Sequence, residues 1–398
     1  MSNLPLQGIR VLDFTWVLAG PVATRIMAGM GAEVIKVERK SGYVATPIGI
    51  HGDLNRDKLS IALNMSAPGA IELAHRLVKI SDLVIDNFSA RVMRHWGMDY
   101  DSLIKIKPDI VCLSMSGFGH TGPRANYVSF GPTLQAFTGF TLHMADEEGR
   151  PSGFSYSYSD SAAGFTGAMV ALFALWHRRQ TGQGQFIDFA QFEGLVSLVG
   201  PSLLDKTVNG RRQVPHGWRS QEAPAAPHGA YRCRPRGDDD DRWLVVAVST
   251  PDEWQSFVRA IGSPQWATQP QFATLYLRMQ NRAQLDELVG GWAAGQDAEA
   301  AMTLLQSAGV PSGLVANAED GCARDPHLQE RGFWPAVTLP DGSQTQVCGF
   351  PFKLSATPVG VRRRAPLAGE NNDYVFGELL GLSRAEREQL IEKKILWP

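Results

Sequence analysis

Within the first 120 residues, short apolar runs alternate with stretches of helical spacing, and this alternation restricts the chain more than any other feature. GIRVLDF (8–14), AEVIKVE (32–38), LSIALNM (59–65), DLVIDNF (82–88) and DIVCLSMS (109–116) read as strands. Between them, PVATRIMAGMG (21–31) and SAPGAIELAHRLVKI (66–80) read as helices. Ile71, Leu73, Ala74, Leu77 and Val78 form one stripe of the second. Pro21 suits a first helical turn and Gly31 a helix stop. Such alternation feeds right-handed crossovers and predicts a mainly parallel sheet. Ligands of these sheets bind beyond the carboxyl ends of the strands. Those ends are Phe14-Thr15-Trp16, Glu38-Arg39-Lys40, Asn87-Phe88 and Ser116-Gly117.

An irregular stretch rich in glycine, proline, serine and aromatics covers 117–159. A long apolar helix is predicted next, over 160–182, with His177, Arg178 and Arg179 near its end and Gly182 as its stop. A strand and another helix follow within 183–204. The composition then turns rich in proline, glycine and charge over 211–241, which reads as a linker with surface turns. RWLVVAVST (242–250) begins a second unit, with helical patterns near 252–262, 281–295 and 297–308. The tail 386–396 reads as an amphipathic helix. A length of 398 residues allows about two domains, and 44% hydrophobic residues supply a sizeable core.

The balance of 38 basic and 40 acidic side chains argues against a nucleic-acid-coating protein or a polybasic membrane binder. No apolar run reaches the roughly 18 residues of a membrane span. The N-terminal residues lack a secretion-signal layout, and Cys112, Cys233, Cys322 and Cys348 lack metal-ligand spacing. A reduced, cytoplasmic setting without metal is the expectation.

Asp160 is the most informative acid. It stands in YSYSDSAAG at the start of the long helix. The ordinary reading is an N-cap; the functional reading is a carboxylate kept ionised by the helix terminus, with small neighbours leaving room for a reactant. His120 and Asp13 read first as packing or hydrogen-bonding residues, and Cys112 as inert core. SGFGHTG carries Gly117, Gly119 and Gly122 in dinucleotide-loop spacing, but no helical pattern follows. It is better read as a loop whose backbone approaches a ligand closely. Arg39, Lys40, Lys58, Arg91 and Arg94 lie near strand ends, where basic groups can hold phosphates. The acid run 238–241 lacks calcium-loop spacing.

GIRVLDFTWVLAGP, GAEVIKVER, NRDKLSIALNM, DLVIDNF, SGFGHTGP, SDSAAG with its following helix and RRQTGQGQFIDFAQFE, and GENNDYVFGELLGLS together resemble the class III CoA-transferases (the CaiB/BaiF family) almost end to end. The resemblance implies an α/β fold, with a Rossmann-like large domain, a smaller inserted α/β domain, and two chains interlocked as a dimer. On that plan the large domain takes 1–204, a linker 205–230, the small domain 231–330, and the chain returns to the large domain over 331–398. Asp160 is implied as the nucleophile that forms an acyl anhydride and then an aspartyl-CoA thioester. CoA is implied along Val17, Ala19, Arg39, Lys58, Asn87, Phe88, Arg91, Gly117 and Gly119. No resident cofactor is implied; CoA thioesters are substrates.

Two departures bear on these expectations. Family members with NFRPG after the fourth strand place an arginine where this chain has Ser89, with Arg91 displaced. VAVSTPDEW stands where some members have a glycine-rich lid. The family also contains acyl-CoA racemases, whose histidine position is filled here by Phe130, a ring that cannot take a proton. Trp16, Phe130 and Tyr158, with Phe137, Phe140 and Tyr156 nearby, suit a bulky or aromatic acid, although core packing is their ordinary reading. TWVLAGP and SFGPTLQA are similar to the benzylsuccinate CoA-transferase branch, which implies succinyl-CoA as donor and a homodimer or a related sister subunit. A non-catalytic CoA-binding subunit is the remaining alternative.

Overall fold

The computed structural model describes residues 4–39, 48–146, 150–153, 156–211, 224–237 and 241–397. Lys40 and residues 212–223 and 238–240 therefore lie outside the described residues. The chain divides into two compact units, one of 1–142, 152–213 and 327–398, the other of 143–151 and 214–326.

The first unit opens with β1 (Arg10–Asp13), α1 (Ala19–Gly29), β2 (Glu33–Glu38), α2 (Gly49–Asn55), β3 (Leu59–Ala62), α3 (Ala70–Lys79) and β4 (Leu83–Asp86). It continues with α4 (Arg91–His95), α5 (Tyr100–Leu103), β5 (Val111–Ser114), α6 (Gly131–Phe137), α7 (Phe140–His143), α8 (Tyr158–Thr181), β6 (Phe186–Asp188), α9 (Gln191–Leu198) and α10 (Gly200–Asn209). α7 ends at the unit boundary. The six strands form one sheet in the order β3-β2-β1-β4-β5-β6, and every pairing is parallel. The parallel α/β reading of the sequence therefore holds.

Strand side chains alternate between the two faces of a sheet. Leu12, Ile35, Ile61 and Val84 face a layer containing Leu73 and Leu77 of α3. Val11, Val34, Ile85 and Leu113 face Val22 and Met27 of α1 and Ala171 of α8. Cys112 lies in the first of these cores, where burial pushes its thiol pKa up, as an inert core cysteine requires.

α1 and α8 approach unusually closely because glycines line the contact. A Cβ on Gly164 would lie 2.5 Å from Val22 and 2.8 Å from the Ala19 carbonyl oxygen. A Cβ on Gly167 would lie 2.6 Å from the Met115 side chain and 3.6 Å from Ala23. Contacts that advance together along both helices mean that the two run in the same direction. Their N-termini consequently meet.

The edge strand β3 is covered by the chain's end. Asn371 and Asn372 accept the Ser60 and Ala62 N–H groups at 2.9 and 3.0 Å, and the Trp397 N–H reaches the Ala62 carbonyl at 3.1 Å. The GENND segment thus supplies side-chain amides where a neighbouring strand would supply backbone, which closes an exposed edge.

The second unit contains β7 (His228–Arg232), β8 (Trp243–Ala247) and β9 (Ser312–Leu314), all antiparallel. α11 (Pro251–Ala260), α12 (Leu275–Gln280), α13 (Arg282–Ala293) and α14 (Ala298–Ser307) complete its core around Leu244, Phe257, Leu285 and Leu305. VAVSTPDEW is an ordinary strand-to-helix junction, with Thr250 and Glu253 forming a capping box. One sequence expectation needs correction here. α10 extends to Asn209, and β7 begins at His228, so regular structure intrudes on both ends of the 205–230 stretch read as a linker. HGAYR lacks an alternating apolar pattern and gains its order from pairing with β8.

Gly164→Ala is expected to lower stability by about 1–3 kcal/mol, because the new methyl group meets the stiff β-branched Val22 side chain and the Ala19 carbonyl rather than the far end of a flexible side chain. Urea unfolding followed by circular dichroism measures it.

Candidate active site

The strand order reverses between β1 and β4, and the loops after these two strands face each other there. A cavity of about 500 Å³ opens at this edge, walled by Trp16, Val17, Arg39, Phe88, Trp96 and Leu63 among others. This is the crevice where parallel sheets hold ligands. Trp16 is 44% exposed, with its ring 6.1 Å from Phe88 and the Arg39 guanidinium 5.9 Å above it. Phe88 meets Trp96 edge-on at 5.6 Å. Lys36, Trp96 and the Leu63–Ser66 turn also line the cavity and were not singled out from sequence. Lys36 and Leu63 sit in strand runs that gave no reason to separate site from core.

The loop from Thr15 to Ala19 is fixed almost residue by residue. The buried Asp13 carboxylate accepts the Thr15 N–H at 2.8 Å, the Thr15 hydroxyl at 2.6 Å and the Thr24 hydroxyl at 2.7 Å. Lys36 donates to the Thr15 carbonyl at 2.8 Å. The Asn87 side-chain amide both accepts from the Trp16 N–H and donates to its carbonyl, each at 2.9 Å. These bonds hold Val17 at φ 62°, a left-handed conformation that costs a β-branched residue about 1–3 kcal/mol. Gly20 leaves room for Thr15, whose Cβ would lie 2.3 Å from a Cβ at that position.

Burial alone would raise the Asp13 pKa; the charges of Lys58 and Lys36 and the two threonine hydroxyls outweigh it and hold the group below 3.8. Lys58 belongs to this buried cluster. Its ammonium meets Asn55 at 2.9 Å, and Asp13 and the Pro21 carbonyl at 3.3 Å. All three protons are engaged and the side chain is buried, which corrects its reading as a phosphate ligand. The Asn87 amide is likewise spent on the Trp16 backbone, so its side chain positions the loop.

At the far end of that loop, the Ala19 N–H lies close enough to the Asp160 carboxyl to favour its charged form. Asp160 is buried in the first turn of α8, and the Ser157 hydroxyl donates to its Oδ2. Ser157, not Asp160, is the N-cap residue of α8. The carboxyl group therefore lies where the positive ends of α1 and α8 converge. Burial raises its pKa above 3.8, while the Ser157 and Ala19 bonds favour the charged form. A Cβ on Gly131, the first residue of α6, would lie 2.1 Å from Oδ2, so only glycine fits beside the carboxylate. Sequence inspection missed Ser157 and Gly131; the serines at 155, 157 and 159 were the available signal for the first.

The remaining candidates are dispersed. Phe130 caps α6 and is 55% exposed, and Tyr158 stacks on Phe140 at 5.3 Å. Neither lines the cavity that contains Trp16. Arg91 is exposed at the start of α4 and does not line it either. The close approach at Gly117 is made by Ser129, and that at Gly119 by Ala190 and Asp188, so protein rather than an open ligand space meets these glycines. The His120 ring lies 2.8 Å from the Ser114 hydroxyl, beside a separate 120 Å³ cavity that includes Asp86 and Cys112. Among the described residues no group of three or more His, Cys, Asp or Glu side chains could hold a metal ion, and no helix is long and apolar enough to cross a membrane.

A family description, "CoA-transferase family III", matches residues 6–372. The chain belongs to CoA-transferase family III. It is 31% identical to the succinyl-CoA–D-citramalate CoA-transferase of Chloroflexus aurantiacus, over 98% of both chains. It is 27% identical to the succinyl-CoA–L-malate CoA-transferase beta subunit of the same organism, over 99% of both. A solved CAIB/BAIF family protein from Brucella suis superposes with a TM-score of 0.84 at 26% identity, covering 95% of this chain and all of that one. Membership in family III makes the chain an enzyme, a CoA-transferase.

Asp13→Ala leaves the Lys58 ammonium buried without its charge partner and is expected to cost about 3–5 kcal/mol in urea unfolding. The folded Asp13 pKa lies below the unfolded one. Its stabilisation is therefore present above about pH 4 and is lost as the pH falls through the folded value, so parent and variant converge in acid; burial also brings the Lys58 ammonium pKa down to about 7, so the pair weakens again as the pH rises through that value.

Proposed function

We propose that the enzyme moves CoA from an acyl-CoA donor to a carboxylic acid through covalent intermediates on Asp160. The observation that carries this reading is the Asp160 carboxylate, buried between two helix N-termini and hydrogen-bonded in its charged form. Burial strips such a group of water while the helix ends and the Ser157 hydroxyl favour its charged form, which suits a carboxylate nucleophile. Asp160 attacks the donor thioester carbon and expels CoA thiolate, leaving an acyl aspartyl anhydride. The thiolate attacks the aspartyl carbon and releases the donor acid, giving an aspartyl-CoA thioester. The acceptor carboxylate attacks that thioester, and the freed thiolate then takes the acceptor acyl group and regenerates Asp160.

The cavity beside Trp16 is the CoA side of this site. Its aromatic walls fit a purine, Arg39 supplies positive charge for phosphate, and Val17 and Phe88 frame it. Succinyl-CoA is the donor, a reading supported by the succinyl-CoA relatives. The exposed rings of Phe130 and Tyr158 support a bulky or aromatic acceptor acid. The smaller unit, whose residues fall between parts of the larger in sequence, is an inserted domain. Exposed Phe165, Met169, Phe173 and Trp176 on α8 support burial against a second chain, either a copy or a related sister subunit in an interlocked dimer. Racemisation is the weaker reading, because Phe130 has no proton to exchange and His120 is bound to Ser114.

Intact mass after mixing with succinyl-CoA and other thioesters, then hydroxylamine, is expected to show modification at Asp160 and none in Asp160→Ala. CoA binding without modification, with or without a sister subunit, would point to a non-catalytic subunit. The rate of modification is expected to fall in acid with a midpoint above 3.8, because burial raises the carboxyl pKa. An arylalkyl succinate that accepts no CoA would remove the aromatic acceptor.

A further inference from the structure

Ser157 occupies the N-cap position of α8, yet its hydroxyl accepts no helix N–H. It turns to Asp160 instead. Ser159, fully buried, has its hydroxyl oxygen 3.0 Å from that of Ser157, and its backbone N–H donates to the Gln135 side chain at 3.3 Å. A serine hydroxyl carries one proton, and an ionised carboxylate only accepts. Ser157 therefore gives its proton to Asp160 Oδ2, and Ser159 gives its own to Ser157. The chain of donors runs one way, and each bond polarises the next. Gly131 roofs all three oxygens: a Cβ there would lie 1.6 Å from Ser157 Oγ, 2.1 Å from Asp160 Oδ2 and 2.6 Å from Ser159 Oγ.

We propose that the Ser157 hydroxyl, backed by Ser159, forms an oxyanion site for the carbonyl group of Asp160 itself. This inference rests on Asp160 being the nucleophile. When Oδ1 forms the anhydride, the Oδ2 held by Ser157 becomes the carbonyl oxygen of the aspartyl half of that anhydride. CoA thiolate then attacks Cγ. The Cγ–S bond forms, the carbonyl electron pair moves to Oδ2, and collapse breaks the Cγ–Oδ1 bond, so that the donor carboxylate departs with Oδ1. The acceptor carboxylate reverses this at the same carbon: a new Cγ–O bond forms, charge returns to Oδ2, and thiolate leaves with the Cγ–S electron pair. Ser157 keeps its proton throughout and strengthens its bond as charge develops, the behaviour expected of a preorganised donor. The first acyl transfer is different, because there the negative charge develops on the donor's carbonyl oxygen and not on Oδ2.

That difference supplies the test. Parent, Ser157→Ala and Ser157→Thr are mixed with succinyl-CoA and quenched rapidly, scoring free thiol and the CoA adduct by intact mass. In Ser157→Ala the initial burst of thiol is expected at near the parent rate. Appearance of the CoA adduct is expected to slow about 100-fold to 1000-fold. The KM for the donor is expected to stay within about twofold, because Ser157 holds Asp160 rather than CoA. Ser157→Thr retains the hydroxyl and is expected to recover most of the rate. Adduct formation at the parent rate in Ser157→Ala would overturn the proposal. Equal slowing of thiol release and adduct formation, with a lower melting temperature, would instead make Ser157 a structural residue and would equally overturn it. A parent that forms no Asp160 adduct brings down the nucleophile reading and this inference with it.

Discussion

The close passage of α1 beside α8 is the constraint on which the site depends. Gly164 sits against the Ala19 carbonyl and Val22, and a side chain at that position would force the helices apart. Because the two helices run in the same direction, their unsatisfied N–H ends meet at one point. The Asp160 carboxyl group is at that point, with the Ala19 N–H of one helix and the Ser157 hydroxyl of the other. Ordinary side-chain packing would separate the two termini by the width of a methyl group or more. The small residues therefore serve the electrostatics as much as the core.

A second constraint holds the other end of the same loop. Asp13, Lys58, Lys36 and Thr24 form a buried polar cluster beneath Thr15, and Asn87 fastens Trp16 from the adjacent strand end. Buried charges are tolerated only when paired and hydrogen-bonded, and this cluster meets the condition with short bonds from Thr15 and Thr24 to the Asp13 carboxylate and a longer one from Lys58. The return is a loop rigid enough to keep Val17 left-handed and to aim the Ala19 N–H. One face of this loop borders the aromatic cavity; the N–H of its last residue favours the charged form of Asp160. Any ligand that displaces Trp16 or Val17 acts on a segment whose end holds the carboxylate.

The parallel sheet, its strands and the long helix were legible in the sequence because buried strands and helices carry their periodicity with them. Asp160 stood out for a related reason: an acid at the head of an apolar helix is conspicuous. What the sequence does not display is where each polar proton is spent. Lys58 looks like a basic residue near a strand end, and only the fold shows its ammonium consumed by Asn55, Asp13 and Pro21. Asn87 looks available, but its amide completes the Trp16 backbone. The glycines of SGFGHTG suggested closeness to a ligand; the closeness is real, but Ser129 and Ala190 make it. Ser157 was passed over for the opposite reason, since one serine among several gives no hint which of them faces the acid.

These corrections share a direction. Residues read as ligand contacts became supports, and a residue read as background came to touch the carboxylate. The cause is the low dielectric of the crevice. Each polar group placed there must be satisfied within the protein, so the groups nearest the site are used first to hold one another. What remains for a ligand is what the cluster leaves unfilled: an aromatic cavity beneath one arginine, and a single carboxylate at the far end of the loop that frames it.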